Sequence, residues 1–343
     1  SIDKENLKFR KIAFDNKYTY KELFELSNSF GVNNGIVYKP WIQIGNAPHK
    51  NKFSIVSDGV RKTFNPDSKC KEPNVFWFFG GSTTYGTGVS WRETIPSKFS
   101  ILLKENSICA KVINFGVPYH YSLQESFFMA IELAKSEFPK PDFVFFVDGL
   151  NDFNQLGSSI KKEPFYTPML SKLIGTDSVG VNEKLNNQIF TINLAIVDYL
   201  KFKMGLDRSI TNYQKPKNLN DIEILEKLTK NIAESNKFRS NICKIYKIKC
   251  YQFLQPVPYL HYEKKYNETL TIDYDQNKSN FFFEGYKKIV EDNTLNSQSG
   301  LKVNDASKIF LSYKDGIPYV DAFHYSPRAN KYFAEHIYKT IYN

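Results

Sequence analysis

The feature that most constrains this chain is the apolar run Val75-Phe76-Trp77-Phe78-Phe79, which stops at Gly80-Gly81-Ser82. A short apolar run closed by glycines predicts a buried strand. Two more segments have the same build. Val112-Ile113-Asn114-Phe115 runs into Gly116, and Phe143-Val144-Phe145-Phe146-Val147 runs into Asp148-Gly149-Leu150-Asn151-Asp152. Helical patterns lie between them: about Trp91 to Leu103, then a segment opening at Ser122-Leu123-Gln124-Glu125 and closing before Pro139. The second opens with a capping-box pattern. A long amphipathic stretch from Asp221 to Ile245 precedes a fourth strand pattern, Cys250 to Leu254. Helical patterns follow at Asn280 to Val290 and Pro327 to about Ile341. Strands alternating with helices predict a three-layer α/β/α sandwich around a central parallel sheet.

In such a sheet, ligands bind outside the carboxyl ends of the strands. Ser82 sits at one such end. A serine hydroxyl needs a base to act as a nucleophile at neutral pH. Tyr319-Val320-Asp321-Ala322-Phe323-His324, just before the helix start at Ser326-Pro327, supplies a base and a carboxylate to orient it. Donors for a developing oxyanion are expected from the Ser82 N–H, the Gly116 N–H and the Asn151 amide, all at strand ends. His120, four residues after Gly116, is a candidate substrate contact, or a surface or helix-entry histidine. Each residue alone has a plainer reading as a turn or cap residue. The argument rests on their order and on the strand ends that carry them.

Ser82 in Gly-Gly-Ser-Thr, Gly116 in Asn-Phe-Gly-Val, Asn151 in Gly-Leu-Asn-Asp and the Asp321-Ala-Phe-His324 pair resemble the motifs of the SGNH (GDSL-like) hydrolase superfamily. The resemblance covers roughly residues 74–156 and 248–343. It implies a flavodoxin-like sandwich and a serine esterase that works through an acyl-enzyme, with catalytic Ser82, Asp321 and His324. It implies no metal and no organic cofactor. The family's usual Gly-Asp-Ser is Gly80-Gly81-Ser82 here. The missing aspartate is not a triad member, so activity is expected to survive. Gly-Gly-Ser-Thr is also similar to a bacterial subgroup associated with envelope polysaccharides. That points to an O-acyl, for example O-acetyl, group on a carbohydrate as substrate, and to the cell envelope or periplasm. Two alternatives stay open: an O-acyltransferase with a glycan acceptor, and an inactive carbohydrate-binding relative.

Residues 1–70 read as a lead-in packed on the core, with a helix at 20–26, and 71–343 as the hydrolase domain. An apolar insertion at about 157–220 reads as a surface addition or a lid over the pocket. The net charge of +10 is spread over the chain without a dense basic block or a reader motif. Nucleic acid is therefore not an expected partner. The apolar runs are strand-sized, so membrane association is expected only through a segment outside this chain. Four cysteines allow two bridges, Cys70 with Cys109 and Cys243 with Cys250, or four reduced thiols. Their spacing does not suit a structural zinc.

Overall fold

The structure is a computed structural model that describes residues 4–28, 35–66, 70–156, 221–258, 260, 276–291, 301 and 303–342. The insertion at 157–220, read as a surface addition or a lid, lies outside the described residues.

An N-terminal helical pair, α1 (Lys4–Ala13) and α2 (Tyr20–Asn28), precedes a hairpin of β1 (Ile36–Lys39) and β2 (Gln43–Asn46). Three short strands follow: β3 (His49–Lys50), β4 (Ile55–Ser57) and β5 (Val60–Arg61). The core then alternates. β6 (Asn74–Gly80) leads into a single turn of helix, α3 (Ser82–Tyr85), then a 3-10 turn at Trp91–Glu93 and α4 (Ile95–Glu105). β7 (Ala110–Asn114), α5 (Ser122–Lys135) and β8 (Phe143–Asp148) come next. The C-terminal part holds α6 (Asp221–Tyr246), β9 (Lys249–Leu254), α7 (Gln276–Glu291), β10 (Val303–Asp305) and α8 (Pro327–Tyr342).

The main sheet runs β10-β9-β8-β6-β7-β5-β4-β3. Its first five strands are parallel, and β5, β4 and β3 extend the β7 edge antiparallel. The parallel strands, numbered in chain order, stand 2-1-3-4-5, the flavodoxin-like order whose switch point lies at the first strand. That strand is β6, the one that leads through Gly81 into Ser82.

The pleat explains why β6 is apolar throughout. Phe76 and Phe78 pack against Ile95, Phe99 and Leu103 of α4 and Phe333 and Ile337 of α8. Val75, Trp77 and Phe79 face the other way, toward Phe128, Met129 and Leu133 of α5 and Ile242 of α6. Alternate side chains of a strand serve opposite faces, so a strand covered on both sides has no polar register. Truncating one of these rings to alanine costs about 3–5 kcal/mol.

The structure departs from the sequence reading at several elements, among them α7, which begins at Gln276 rather than Asn280. Helix α1 was not expected. The cap of α5 is also different: Tyr121 precedes the helix and its N–H donates to Gln124 Oε1 at 3.3 Å. Ser122 is instead the first helical residue, and its hydroxyl donates to Asp152 at 2.6 Å. Of the two readings of the cysteines, the structure has the bridged one. Cys70 joins Cys109 and Cys243 joins Cys250, with Cα–Cα distances of 6.1 and 6.2 Å. None of the described helices is long and apolar enough to cross a membrane.

Candidate active site

Ser82, Asn151 and His324 line one cavity of about 250 Å³, together with Tyr119, Leu150, Phe323, Ile36 and His49. It opens at the carboxyl ends of β6 and β8, beside the switch point. Ser82 begins α3 straight after the strand, and Thr83, Thr84 and Tyr85 are buried beneath it.

Glycine is required at position 81 because of what approaches it. A Cβ built there would stand 2.2 Å from the Asn151 amide nitrogen. An aspartate at this position would displace Asn151, so the departure from Gly-Asp-Ser is tied to the placing of the amide. Asn151 Nδ2 donates to the His120 carbonyl at 2.7 Å, which fixes the amide and leaves its second hydrogen for the cavity. Asp152 holds the turn behind it, accepting from the Ser122 N–H at 3.1 Å and the Gly149 N–H at 3.3 Å.

Asp321 and His324 form a tight unit. His324 Nδ1 lies 2.8 Å from both Asp321 oxygens, and Asp321 Oδ1 also accepts from the N–H groups of Phe323 and His324 at 3.0 and 2.9 Å. Burial works against the charged carboxylate, but His324, the backbone donors and Arg10 together hold Asp321 down at about 2. The charge fixes the Nδ1–H tautomer and leaves Nε2 as the basic nitrogen. Ser82 Oγ and His324 Nε2 share the cavity without a direct hydrogen bond, an arrangement often seen in unliganded sites that tighten around substrate.

Two expectations are corrected. Gly116 is not in the cavity. Its N–H donates to Asn114 Oδ1 at 2.9 Å, and a Cβ there would meet Tyr85 N at 2.3 Å. This glycine lets the end of β7 press against the serine turn; it has no N–H free for an oxyanion. Nor is His120 a substrate contact. Its ring is buried, its Nε2 donates to the Ile44 carbonyl at 2.7 Å, and burial lowers its pKa to about 4, so it stays neutral. Its contribution is to tie the β1–β2 hairpin to the loop that carries Asn151.

Other residues at the site were not anticipated. Tyr119 lines the cavity with φ +70°, in the left-handed region. The signal for it is absent from the sequence, because nothing marks a tyrosine as left-handed. Asn114 Nδ2 donates to the Thr84 carbonyl at 3.0 Å. Arg61 is fully buried, and its guanidinium donates to the carbonyls of Tyr85, Gly86 and Val89 at 2.5, 2.7 and 2.8 Å. It thereby satisfies the carbonyl end of the serine turn, and burial lowers its pKa to about 10. Arg10 of α1 reaches Asp321 at 3.7 Å and also meets the Ser27 hydroxyl. His49 lines the cavity, with Nδ1 2.9 Å from the Ala47 carbonyl and Nε2 2.8 Å from Ser54 Oγ, so both ring nitrogens are engaged.

No family model and no curated protein matches this chain. Among solved structures, an acetyl xylan esterase is 14% identical, the match covering 78% of this chain and 99% of that one at TM-score 0.40. An SGNH-hydrolase family esterase is 13% identical over 80% and 97%, at TM-score 0.38. A lipase/acylhydrolase from Enterococcus faecalis is 14% identical over 78% and 95%, at TM-score 0.40. Likeness at this level carries nothing about activity. The fold assignment rests on the chain's own strand order. A 2-1-3-4-5 parallel sheet with helices on both faces is the fold that the SGNH resemblance implies.

Proposed function

We propose that the protein is a serine esterase acting on a short O-acyl group, for which an O-acetylated carbohydrate is the substrate class. The observation that carries this reading is the meeting of Ser82, Asn151 and His324 in one cavity, with Asp321 on the far nitrogen of His324. In this reading Ser82 Oγ attacks the ester carbonyl and His324 Nε2 takes its proton. The oxyanion is held by the N–H groups of Ser82 and Tyr119 and by Asn151 Nδ2. The tetrahedral intermediate collapses, the alkoxide leaves with the proton from His324, and an acyl-Ser82 ester remains. Water, deprotonated by His324, attacks that ester and releases the acid. A cavity of about 250 Å³ suits a short acyl chain. The carbohydrate rests on the resemblance of Gly80-Gly81-Ser82-Thr83. Two disulfides suit an oxidising compartment, in keeping with the cell envelope or periplasm.

The test is covalent labelling by a fluorophosphonate, together with hydrolysis of p-nitrophenyl acetate. One adduct on Ser82 is expected, with both adduct and hydrolysis lost in Ser82→Ala. An adduct that persists in Ser82→Ala, or hydrolysis that is undiminished, overturns the assignment.

A further inference from the structure

A second cavity, of about 580 Å³, lies at the far end of the β1–β2 hairpin. Its size falls within the roughly 300–1,000 Å³ of small-ligand sites. The hairpin joins it to the first cavity. Ile36 at the start of β1 lines the catalytic cavity, while Lys39, Pro40 and Trp41 at the turn line the second. The strand between them spans roughly 10 Å.

The turn presents Trp41 to solvent at 83% exposure, with Tyr38 at 59% on the adjoining strand. Trp41 has φ +71°, a backbone region that bulky residues rarely occupy. Such an outlier persists only where its surroundings enforce it, and it clusters at sites of function. Two hydrogen bonds pin the residues that follow Trp41. Gln124 donates to the Ile42 carbonyl at 3.2 Å, and His120 to the Ile44 carbonyl at 2.7 Å. An exposed indole on a pinned turn is a platform rather than a stray surface residue.

The rest of the wall is polar in a particular way. Glu132 is a carboxylate with only 4% exposure, held by Lys135 at 2.8 Å. Asn46 is buried, its Nδ2 donating to the Gly59 and Gly116 carbonyls, and its Oδ1 has no donor among the described residues. Asp58 also lines the cavity. Two lysines, Lys39 and Lys135, balance the two carboxylates, so the wall carries no net charge. A polyanion or an anionic membrane gains nothing there. A neutral sugar does: its C–H face lies on an aromatic ring and its hydroxyls donate to carboxylate and amide oxygens.

We propose that this cavity is a subsite for a neutral saccharide chain whose acylated unit reaches Ser82 along the hairpin. It rests on the carbohydrate-ester reading only for what the chain carries at its other end. The assay uses intrinsic fluorescence. Trp77 and Trp91 are buried at 1% and 7% exposure, so Trp41 is the one solvent-exposed indole of the three in the chain. Ser82→Ala protein is titrated with cellohexaose, xylohexaose and chitohexaose, with calorimetry in parallel. A saturable blue shift with at least one of them is expected. Trp41→Ala should weaken calorimetric binding at least tenfold, and Glu132→Gln severalfold. Absence of saturable binding to all three overturns the proposal, as does binding that Trp41→Ala leaves intact. A shift produced instead by phosphatidylglycerol vesicles, or by raising protein concentration alone, assigns the surface to a membrane or to a second copy and equally overturns it. Wild-type hydrolysis of p-nitrophenyl acetate, too small to reach the hairpin turn, reports on the esterase reading separately.

Discussion

At the residue scale, Asn151 separates two kinds of contribution. Its amide is held by the His120 carbonyl, so the second hydrogen is pre-aimed and need not reorganise as charge develops. A donor of this kind acts mainly on the transition state, and its loss typically costs about 10²–10³ in turnover. Asn151→Ala should therefore lower kcat by about that factor with KM little changed. A raised KM with kcat preserved would make Asn151 a ground-state contact. Arg10 acts one step further out: its guanidinium, 3.7 Å from Asp321, helps hold that carboxylate ionised against its burial. Asp321, at about 2, and His120, at about 4, complete their titrations on the acid side of neutrality.

At the scale of elements, the two disulfides fasten the ends of core strands. Cys109 immediately precedes β7 and Cys70 precedes β6, so their bridge ties the two neighbouring parallel strands at the edge opposite the cavity. Their sequence separation is 39, and that of the second pair is 7. Loop-closure entropy for closures of these lengths corresponds to about 4 and about 2.5 kcal/mol. The Cys70→Ser/Cys109→Ser variant should lose more in urea melts than Cys243→Ser/Cys250→Ser, and the native protein should react with thiol reagents only after reduction. A native protein with four reactive thiols would refute the pairing. The helical pair α1–α2 is a second fastening. Leu23, Leu26 and Phe14 pack on Val89, beyond the serine turn, and on Val320, beside Asp321. One apolar cluster thus braces the segments that follow Ser82 and precede Asp321.

At the scale of the whole molecule, the buried charges beneath the site govern the response to pH. Arg239 is fully buried and pairs with Asp148 at 2.5 Å and Glu125 at 3.2 Å. Asp148 is fully buried too, but Arg239 and Gln252 keep its pKa low. Burial beside Asp148 pushes Glu125 well above its ordinary value and Asp152 up to about 6. A carboxyl with a raised folded pKa binds more protons when folded than unfolded. Its stabilising effect is complete below the unfolded value and is lost as pH rises through the folded one. Glu125 and Asp152 therefore make the fold more stable as pH falls from 7 toward about 4.5. Below about 4, Asp321 and Asp148 act in the opposite sense. Tm should hold or rise on mild acidification and collapse only at lower pH. Glu125→Gln, a permanent mimic of the protonated acid, should be tolerated at pH 7 and flatten that dependence. Arg239→Met leaves Asp148 buried without a counter-charge, which costs about 3–5 kcal/mol. A Tm that falls steadily from pH 7 to 5 would contradict this account.

What the sequence determined by itself is the frame. Apolar runs at 75–79, 112–115 and 143–147 can be satisfied only by burial on both faces, and the helical patterns between them force parallel neighbours. The strand end at which Ser82 stands follows from that pattern, whereas the order of the strands in the sheet is a tertiary choice. The short Asp321–His324 spacing is equally legible, since a single loop closes it. Tertiary structure decided the rest, because those choices belong to contacts between segments far apart in the chain. Whether an N–H after β7 faces a cavity or a side chain depends on where the serine turn presses, and that gave the Gly116 N–H to Asn114 and set Tyr119 in the cavity wall. His120 was moved from substrate contact to buried anchor by a hairpin 76 residues earlier in the chain. Arg10, Arg61 and Arg239 look like ordinary surface charges in the sequence. Only packing shows that each is held by oxygens that its own segment does not contain.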